Sequence, residues 1–371
     1  MAKLFVLVSY KVFPAHMGGQ KAVVSFYSHL CQYHKIDMAV SFDNETVQGI
    51  FPVEKLLYQN RKMMGNLFLL FRLRKQIREK DVQCIVAEHS YTGWMAFLLK
   101  KLTGKPFIIR SHNIEAHRFM QMNRRYWKLY RMYEKWIHQQ ADHSFFITEA
   151  DRQYAMANFD LPLAKCTTVP YGVKEIKSIG NARQQVIAQY NIRSAHLLYF
   201  NGTLDYLPNK KAVEWIIGQL DPALQKRQLD YHIIISGKKL SSQLQSKIRL
   251  TKTITYLRFV ENVEWLYQAS SIFINAVVNN SGVKTKVVEA LANNCTVVSM
   301  QTGAAGIPAE LYNGKMFIVK DNDSEAFAES IIQALSRQAL QTPEAFFDYF
   351  SWKNIAKKAA KQIDELTNVN A

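Results

Sequence analysis

Short apolar runs alternate with amphipathic segments of helical length along the chain, and this alternation constrains the fold more than any other feature. Runs such as Phe5–Ser9 and Gln83–Ala87 have the length and apolar character of buried strands. Segments such as Gln20–His34 repeat apolar residues at helical spacing. A repeated series of strand, helix and strand predicts right-handed βαβ units and a mainly parallel sheet.

The alternating series occurs twice, and the pattern relaxes once between the two. We expect an α/β fold with a Rossmann-like domain at residues 1–173, a linker at 174–193 and a second Rossmann-like domain at 194–345. A helical segment at 346–371 is expected to pack back on the first domain. Both sheets would be doubly wound, with their carboxyl strand ends facing a cleft. Ligands of open α/β sheets bind at those strand ends.

The length and composition agree with this organisation. A chain of 371 residues, 48% of them hydrophobic, is long enough for two domains with large cores. Its apolar stretches are all shorter than the roughly 18 residues that a membrane-spanning helix needs. The first eight residues read as a buried strand and not as a signal peptide. The four scattered cysteines indicate neither a zinc site nor a disulfide framework, so we expect a location inside the cell.

The charge is strongly positive, with a formal net value of +17. Such a field attracts anions, which include nucleic acid, acidic lipid and phosphorylated small molecules. It is densest between Lys100 and His138, where ten basic residues accompany only two acids. The sequence predicts one long helix at Arg118–Gln140 that interleaves aromatic and basic residues. The preferred interpretation is a core-packing helix with a solvated basic edge; a membrane-surface helix and a nucleic-acid contact are the alternatives.

The stretch Asn279–Met300 carries the clearest functional signal. A turn at Ser281-Gly282 separates a predicted strand from a helix that starts near Lys284. A helix start offers free N–H groups and suits an anion, whereas two lysines there, Lys284 and Lys286, would normally be unfavourable. A phosphate held between them would explain the pair, and Glu289 could then accept hydrogen bonds from sugar hydroxyls. The alternative is a strand, turn and helix with two solvated lysines.

Several segments carry recognisable motifs. In chain order they are Gly18-Gly19, Pro106–Glu115, Pro170–Val173, Leu198–Trp215, Gly282–Cys295 and Ser351-Trp352. Together they resemble the GT-B glycosyltransferases of family 4, also called glycosyl transferases group 1, over nearly the whole chain. The resemblance implies transfer of a sugar, with retention of anomeric configuration, from a UDP- or GDP-linked donor to a glycan, lipid-linked or small-molecule acceptor. It also implies polysaccharide biosynthesis, no bound metal or other cofactor, and a position inside the cell that includes contact with the inner face of the membrane.

The resemblance also assigns roles to individual residues. His112, Glu289 and Lys284 are the expected catalytic residues. The expected donor-binding residues are Gly202, Thr203, Asp205, Asn209, Gly282, Lys284, Thr285, Lys286 and Glu289. Gly18 and Gly19 would form an acceptor or phosphate loop. Two alternatives stay open: His112 as a histidine that caps a strand end, and Glu115 as an ion-pair partner of Arg110 or Arg118.

This chain departs from the family pattern at three positions. Ser281 stands where the family has its first acid, which ordinarily touches the transferred sugar. Thr203 and Pro208 stand where the family commonly has an Arg and a Lys on the diphosphate. We expect Lys284 and Lys286 to supply that missing positive charge from the helix side.

Three other functions remain as alternatives to the transferase. A nucleotide-sugar epimerase would share the fold but would point carboxylates at the sugar. A basic binding module for RNA or an anionic polymer would show affinity that collapses with salt; the chain lacks the motifs of nucleic-acid readers, so nucleic acid is not the expected partner. A degraded, inactive transferase is the third.

Overall fold

The structure is a computed structural model that describes residues 1–15, 18–45, 49–58, 60–174, 176–278, 285–337 and 339–368. These residues form two compact units. The first comprises residues 1–174 and 349–368, and the second comprises 176–278, 285–337 and 339–348. The change from one unit to the other near residue 174 lies beside the predicted end of the first domain at 173.

The first unit is built on a seven-stranded parallel sheet. Its strands are β1 (Lys3–Val8), β2 (Lys35–Ser41), β3 (Val53–Leu57), β4 (Cys84–Glu88), β5 (Phe107–Ser111), β6 (His143–Phe146) and β7 (Cys166–Thr168). Its helices up to residue 158 are α1 (Gly18–Leu30), α2 (Leu70–Glu79), α3 (Gly93–Thr103), α4 (Glu115–Gln121), α5 (Trp127–Gln140) and α6 (Glu149–Asn158). The strand order β3-β2-β1-β4-β5-β6-β7 places the topological switch point between β1 and β4.

The second unit repeats the design with a six-stranded parallel sheet. Its strands are β8 (His196–Asn201), β9 (Tyr231–Ser236), β10 (Ile254–Leu257), β11 (Ile272–Asn275), β12 (Thr296–Met300) and β13 (Met316–Val319). Its helices are α7 (Ala182–Tyr190), α8 (Leu207–Trp215), α9 (Asp221–Lys226), α10 (Ser242–Arg249), α11 (Val263–Ala269), α12 (Thr285–Ala292) and α13 (Ser324–Leu335), with α14 (Glu344–Phe350) at the return to the first unit. The order β10-β9-β8-β11-β12-β13 puts the switch point between β8 and β11.

Apolar side chains on both faces of the strands explain why these sheets are buried. The residues of β1 are buried from Leu4 to Val8, and those of β9 are buried from Ile233 to Ser236. On one face of the first sheet, a continuous core joins α2, α3 and α5 through Leu73, Leu99 and Ile137. Parallel sheets need cover on both faces, so the predicted α/β class with two doubly wound sheets is confirmed.

The chain returns to the first unit through α15 (Trp352–Asn368), as predicted. This helix packs against α1 and buries Ile355 and Ile363. An isolated bridge joins Ser351 to Val173, just after β7. No helix in the described part of the chain is both long enough and apolar enough to cross a bilayer.

The predicted single helix at Arg118–Gln140 is wrong. The structure has α4 and α5 separated by a turn in which Asn123 takes a left-handed conformation with φ of 53°. Asparagine tolerates that conformation better than most residues, so the helical pattern could continue through the turn unnoticed. The Glu134 carboxylate of α5 accepts the N–H groups of Glu115 and Ala116 at 2.9 and 3.0 Å and thereby caps α4.

Two further expectations are modified by the structure. The stretch expected to be a linker contains α7, which packs on α11 within the second unit; the Ile179 N–H donates to the Gln268 side chain at 2.8 Å. Weak apolar periodicity in α7 hid it from the sequence analysis. Gly18 and Gly19, expected in a loop, are instead the first two residues of α1.

Candidate functional site

Two glycines bring the loops after β8 and β9 together at the carboxyl edge of the second sheet. Gly237 has φ of 144°, a conformation available almost only to glycine, and a Cβ there would lie 1.8 Å from the Gly202 carbonyl oxygen. The Gly202 N–H donates to the Ser236 carbonyl at 3.0 Å. The loops after β8 and β9 are therefore packed closely together at the switch point, where ligands of this fold class bind.

Lys286 reaches this same point from α12. It is the second residue of the helix, and its Nζ lies 3.1 Å from where a Cβ on Gly202 would stand. Burial lowers the pKa of Lys286 to about 8, although the Glu289 carboxylate, one turn further along α12, opposes that shift. The interpretation of Lys286 as a fully solvated lysine is therefore wrong. Lys284 and Gly282 lie outside the described residues.

The other predicted donor-binding residues have distinct surroundings. Asn209 is buried, donates to the Thr203 carbonyl at 2.9 Å and so braces the loop after β8. Asp205 pairs with Lys239 at 2.9 Å on the surface, which suits a role in ordering that loop. Thr285 is the half-buried first residue of α12.

A layer of buried polar groups beneath the site was missed by the sequence analysis. The Asn201 side chain donates to the hydroxyls of Tyr199 and Tyr267 at 3.1 and 3.0 Å. The Tyr267 hydroxyl in turn donates to Glu289 at 3.4 Å. Asn275, which ends β11, donates to the Ser299 hydroxyl at 2.8 Å. The sequence signal that could have revealed this layer is an asparagine at the end of each of two apolar strands, β8 and β11.

The first unit has its own polar cluster at the carboxyl ends of β4 and β5. The Glu88 carboxylate lies 3.2 Å from Arg110 Nη1 and 2.6 Å from His112 Nε2, and accepts from the Tyr27 hydroxyl at 2.6 Å. Arg110 is completely buried, and its guanidinium stacks 4.1 Å from the centre of the Phe26 ring. Although burial opposes it, the charges of Arg110 and His112 lower the pKa of Glu88 to about 2.

His89 joins this cluster to a second ion pair. Its backbone has φ of 62°, a strained conformation for a residue with a side chain, and its ring centre lies 4.2 Å from that of His112. His89 Nδ1 lies 3.2 Å from Glu115, which also accepts from Arg118 Nε at 2.6 Å and from Tyr91. Burial lowers the pKa of His112 to about 4, so its imidazole is neutral near pH 7.

These contacts decide between the roles considered for the acids of the first unit. Glu115 is an ion-pair partner of Arg118, while Arg110 pairs with Glu88. His112 directly follows β5 and touches the Glu88 carboxylate, a contact that fits a catalytic histidine and a histidine that caps the strand end equally well. The sequence places Glu88 at the end of a strand, but its contacts with Arg110, His112 and Tyr27 were not predictable, because these partners come from separate parts of the chain.

Within the described residues, no group of three or more His, Cys, Asp or Glu side chains is arranged to hold a metal ion. The short Asp-x-Asp sequence at 321–323 has local structural roles. Asp321 accepts the Thr302 N–H at 3.1 Å, and Asp323 caps α13 by accepting the Ala326 N–H at 3.0 Å.

The two clusters offer different chemistry. The second unit combines a buried ammonium group with the N-terminal turn of a helix, which suits a phosphate or diphosphate. The first unit presents a neutral imidazole backed by an ionised carboxylate, which suits hydrogen bonding to a hydroxyl group.

Comparison with known proteins also separates the chain into two matched regions, one for each unit. Residues 23–175 match the model of Glycosyltransferase Family 4, and residues 195–337 match that of Glycosyl transferases group 1. An uncharacterised 44.6 kDa protein in the cps region of Klebsiella pneumoniae is 23% identical over 95% of both chains.

Solved structures show the same fold at low identity. Sucrose-phosphate synthase from Thermosynechococcus elongatus has a TM-score of 0.77 at 15% identity, covering 99% of this chain and 100% of that one. Anabaena HepE in complex with UDP and glucose has a TM-score of 0.74 at 14% identity, covering 97% and 99%. The two family models, one on each sheet, and the GT-B architecture lead to one conclusion: this chain is a glycosyltransferase enzyme and belongs to the group 1 glycosyltransferases of family 4.

Proposed function

We propose that this enzyme is a retaining hexosyltransferase of polysaccharide biosynthesis. It takes a sugar from a UDP- or GDP-linked donor and transfers it to a glycan, lipid-linked or small-molecule acceptor. One observation carries the proposal: the Lys286 ammonium group lies beside Gly202 at the switch point of the second sheet. The HepE structure, which holds UDP and glucose, supports the choice of a nucleoside diphosphate as the leaving group.

The chemistry explains why a buried ammonium group is useful there. Cleaving the bond between a sugar and a nucleoside diphosphate leaves negative charge on the diphosphate, and positive groups fixed in advance lower that barrier. Lys286 supplies charge, and the first turn of α12 supplies N–H donors. Glu289, on the same helix, is the proposed acceptor of hydrogen bonds from donor hydroxyls. Lys284 and Gly282 complete the proposed donor site. Gly18 and Gly19 are proposed to contact the acceptor or a phosphate group.

The experiment follows each nucleotide sugar by proton NMR in the presence of the purified enzyme. We expect one UDP- or GDP-linked sugar to be consumed, with slow hydrolysis when no acceptor is present and faster transfer when a glycan acceptor is added. The anomeric signal of the first product should have the configuration of the donor. A new nucleotide sugar with an inverted carbon centre would instead identify an epimerase. No consumption of any donor would contradict the proposed activity.

We also propose that the first unit contacts an anionic membrane surface, on the inner face of the membrane. Leu129 and Met132 of α5 are 70% and 69% exposed, and Trp136 stands on the same side of the helix. Trp136 packs against Phe97 of α3, with 5.2 Å between ring centres. Leu129, Met132 and Trp136 thus form an exposed apolar face on α5, with Phe97 half-buried beside it.

Basic residues surround this apolar face. Lys101 of α3 lies 5.5 Å from the Phe97 ring, and Lys128 of α5 is exposed. The acid of α5, Glu134, is buried, and α3 contains no acid. An apolar surface bordered by cations matches a bilayer with negatively charged headgroups, because each part of the surface finds its complement there.

Sedimentation with lipid vesicles tests the membrane contact. The protein should pellet with vesicles that contain phosphatidylglycerol, and much less with phosphatidylcholine alone. The L129S/M132S variant should lose this binding, because it removes apolar area and leaves the charge unchanged. The matched control L250S changes a leucine that is 87% exposed in the second unit and should bind as the unchanged protein does. Equal binding by both variants, or binding to nucleic acid in place of vesicles, would contradict the proposal.

A further inference from the structure

Two charged groups compete for one nitrogen of His112. Nε2 lies 2.6 Å from Glu88 Oε2 and 3.0 Å from Arg110 Nη1. An ionised carboxylate only accepts hydrogen bonds, and a guanidinium only donates them. Nε2 therefore either carries a proton and donates to Glu88, or holds a lone pair and accepts from Arg110. It cannot do both.

The surroundings favour donation to Glu88. That contact is the shorter of the two, and Arg110 Nη1 already has both Glu88 oxygens at 3.2 Å as acceptors. The carboxylate is ionised, because Arg110 and the Tyr27 hydroxyl both stabilise its charge. A neutral imidazole that carries its proton on Nε2 has a lone pair on Nδ1.

We propose that Glu88 is a positioning residue that fixes His112 in the Nε2–H tautomer and so makes Nδ1 a hydrogen-bond acceptor for a substrate hydroxyl. The role toward substrate rests on the proposed function; the tautomer does not. Within the described residues Nδ1 of His112 has no hydrogen-bond partner, which leaves its lone pair available. A histidine in the other tautomer would present a donor at this atom and would select for a different substrate group.

Glu88 fixes which nitrogen of His112 carries the proton, and packing fixes the orientation of the His112 ring. The His89 ring lies 4.2 Å from the His112 ring at an interplanar angle of 32°, and Tyr10 meets His89 edge-on at 5.4 Å. Arg110, which holds Glu88, is itself stacked on Phe26. Every member of this support is buried or half-buried, so the imidazole has little freedom to turn.

The tautomer can be measured directly by nitrogen-15 NMR of the histidine-labelled protein, with H112Q used to assign the His112 signals. We expect Nε2 to be protonated and Nδ1 to be unprotonated near neutral pH, well above the His112 pKa of about 4. A protonated Nδ1 with an unprotonated Nε2 would overturn the proposal. This measurement needs no variant at Glu88 and no substrate.

Variants of the ion pair test whether Glu88 sets the tautomer. E88Q gives His112 a neighbour that can accept or donate, but it leaves Arg110 buried without a counter-charge. E88M/R110M removes both charges together, a change that is often neutral for stability. In both variants His112 should lose its single tautomer. The control Y231F removes a hydrogen bond from a tyrosine to a carboxylate, that of Asp221 in the second unit, and leaves every His112 contact, so it should keep the tautomer of the unchanged protein.

Turnover of the donor separates a positioning role from a merely structural one. In metal sites, loss of a group that orients a histidine ligand typically costs about 10- to 100-fold in affinity or activity, and we take the same scale here. We expect a fall of that size in kcat for E88M/R110M, with donor affinity retained and with Y231F near the unchanged rate. A folded E88M/R110M that keeps both tautomer and kcat would overturn the proposal. If the unchanged protein turns over no nucleotide sugar, the proposed function fails while the tautomer result stands on its own.

Discussion

At the scale of the residue, Lys286 is the group on which the proposed function depends. Its charge is held in a position where burial disfavours it, since burial lowers its pKa to about 8. A protein keeps an unfavourable buried charge most readily where a ligand makes use of it. The neighbouring contact with Gly202 shows where that ligand would lie.

The cost of burying this charge gives a stability prediction. The pKa of Lys286 in the folded protein lies below the ordinary lysine value of about 10.4, so the unfolded chain binds more protons between about pH 8 and pH 10.4. Stability should therefore rise as pH rises through that window. K286M should melt at a higher temperature than the unchanged protein at pH 7, and the difference should shrink by pH 10. Thermal melts without ligand test this; a lower melting temperature for K286M would contradict it.

Individual residues differ in how far the sequence could predict them. Lys286 and Glu289 lie on one helix, so their spacing in the sequence was enough to predict that they are neighbours. Asn209 was predictable because it follows the strand that ends near Gly202. The contacts of Glu88 could not be predicted in this way. Its partners come from α1, from β5 and from the residue after β5, and only the assembled sheet brings them within hydrogen-bond distance.

At the scale of the element, the strands were predictable and the ends of several helices were not. Strands β1 and β9 contain uninterrupted apolar runs, Leu4–Val8 and Ile233–Ile235, which is how buried parallel strands read in a sequence. The break between α4 and α5 escaped prediction because a left-handed asparagine leaves the helical pattern on both sides intact. The cap on α13 is Asp323, directly followed by Ser324, and because both residue types favour caps, sequence propensity does not choose between them.

The junction between β7 and α15 gives a prediction at this scale. A Cβ on Gly172 would lie 2.4 Å from the Trp352 ring, which is buried and held by Tyr171 on another side. G172A should therefore destabilise the protein by about 1–3 kcal/mol, the usual cost of overpacking. Denaturant unfolding measures this cost.

The matched control is G218A, which adds the same methyl group in a helical segment where nothing lies within 4 Å of the new atom. It should be neutral or slightly stabilising, since alanine is favoured over glycine in helices. Equal effects of the two substitutions would show that close packing of Gly172 on Trp352 does not matter.

At the scale of the whole molecule, alternation of strands and helices predicted both sheets, and motif order predicted the family. Thr203 and Pro208 replace an Arg and a Lys that are common in the family. These replacements change the charge and not the fold, because both residues lie in or beside the loop after β8 and leave the strand unchanged. The sequence does not show which positive charge binds the donor. The overall net charge of +17 could attract it, or one specific ammonium group could bind it.

Calorimetric titration of UDP and GDP into three proteins decides this most directly. The unchanged protein should bind at least one of the two, and K286M should bind it about 10- to 100-fold more weakly, the usual value of a hydrogen bond to a charged group. K247M removes the same charge from an exposed position on α10 and should bind as the unchanged protein does. Full affinity in K286M, or equal losses in K286M and K247M, would contradict the claim that the ammonium group beside Gly202 holds the leaving diphosphate.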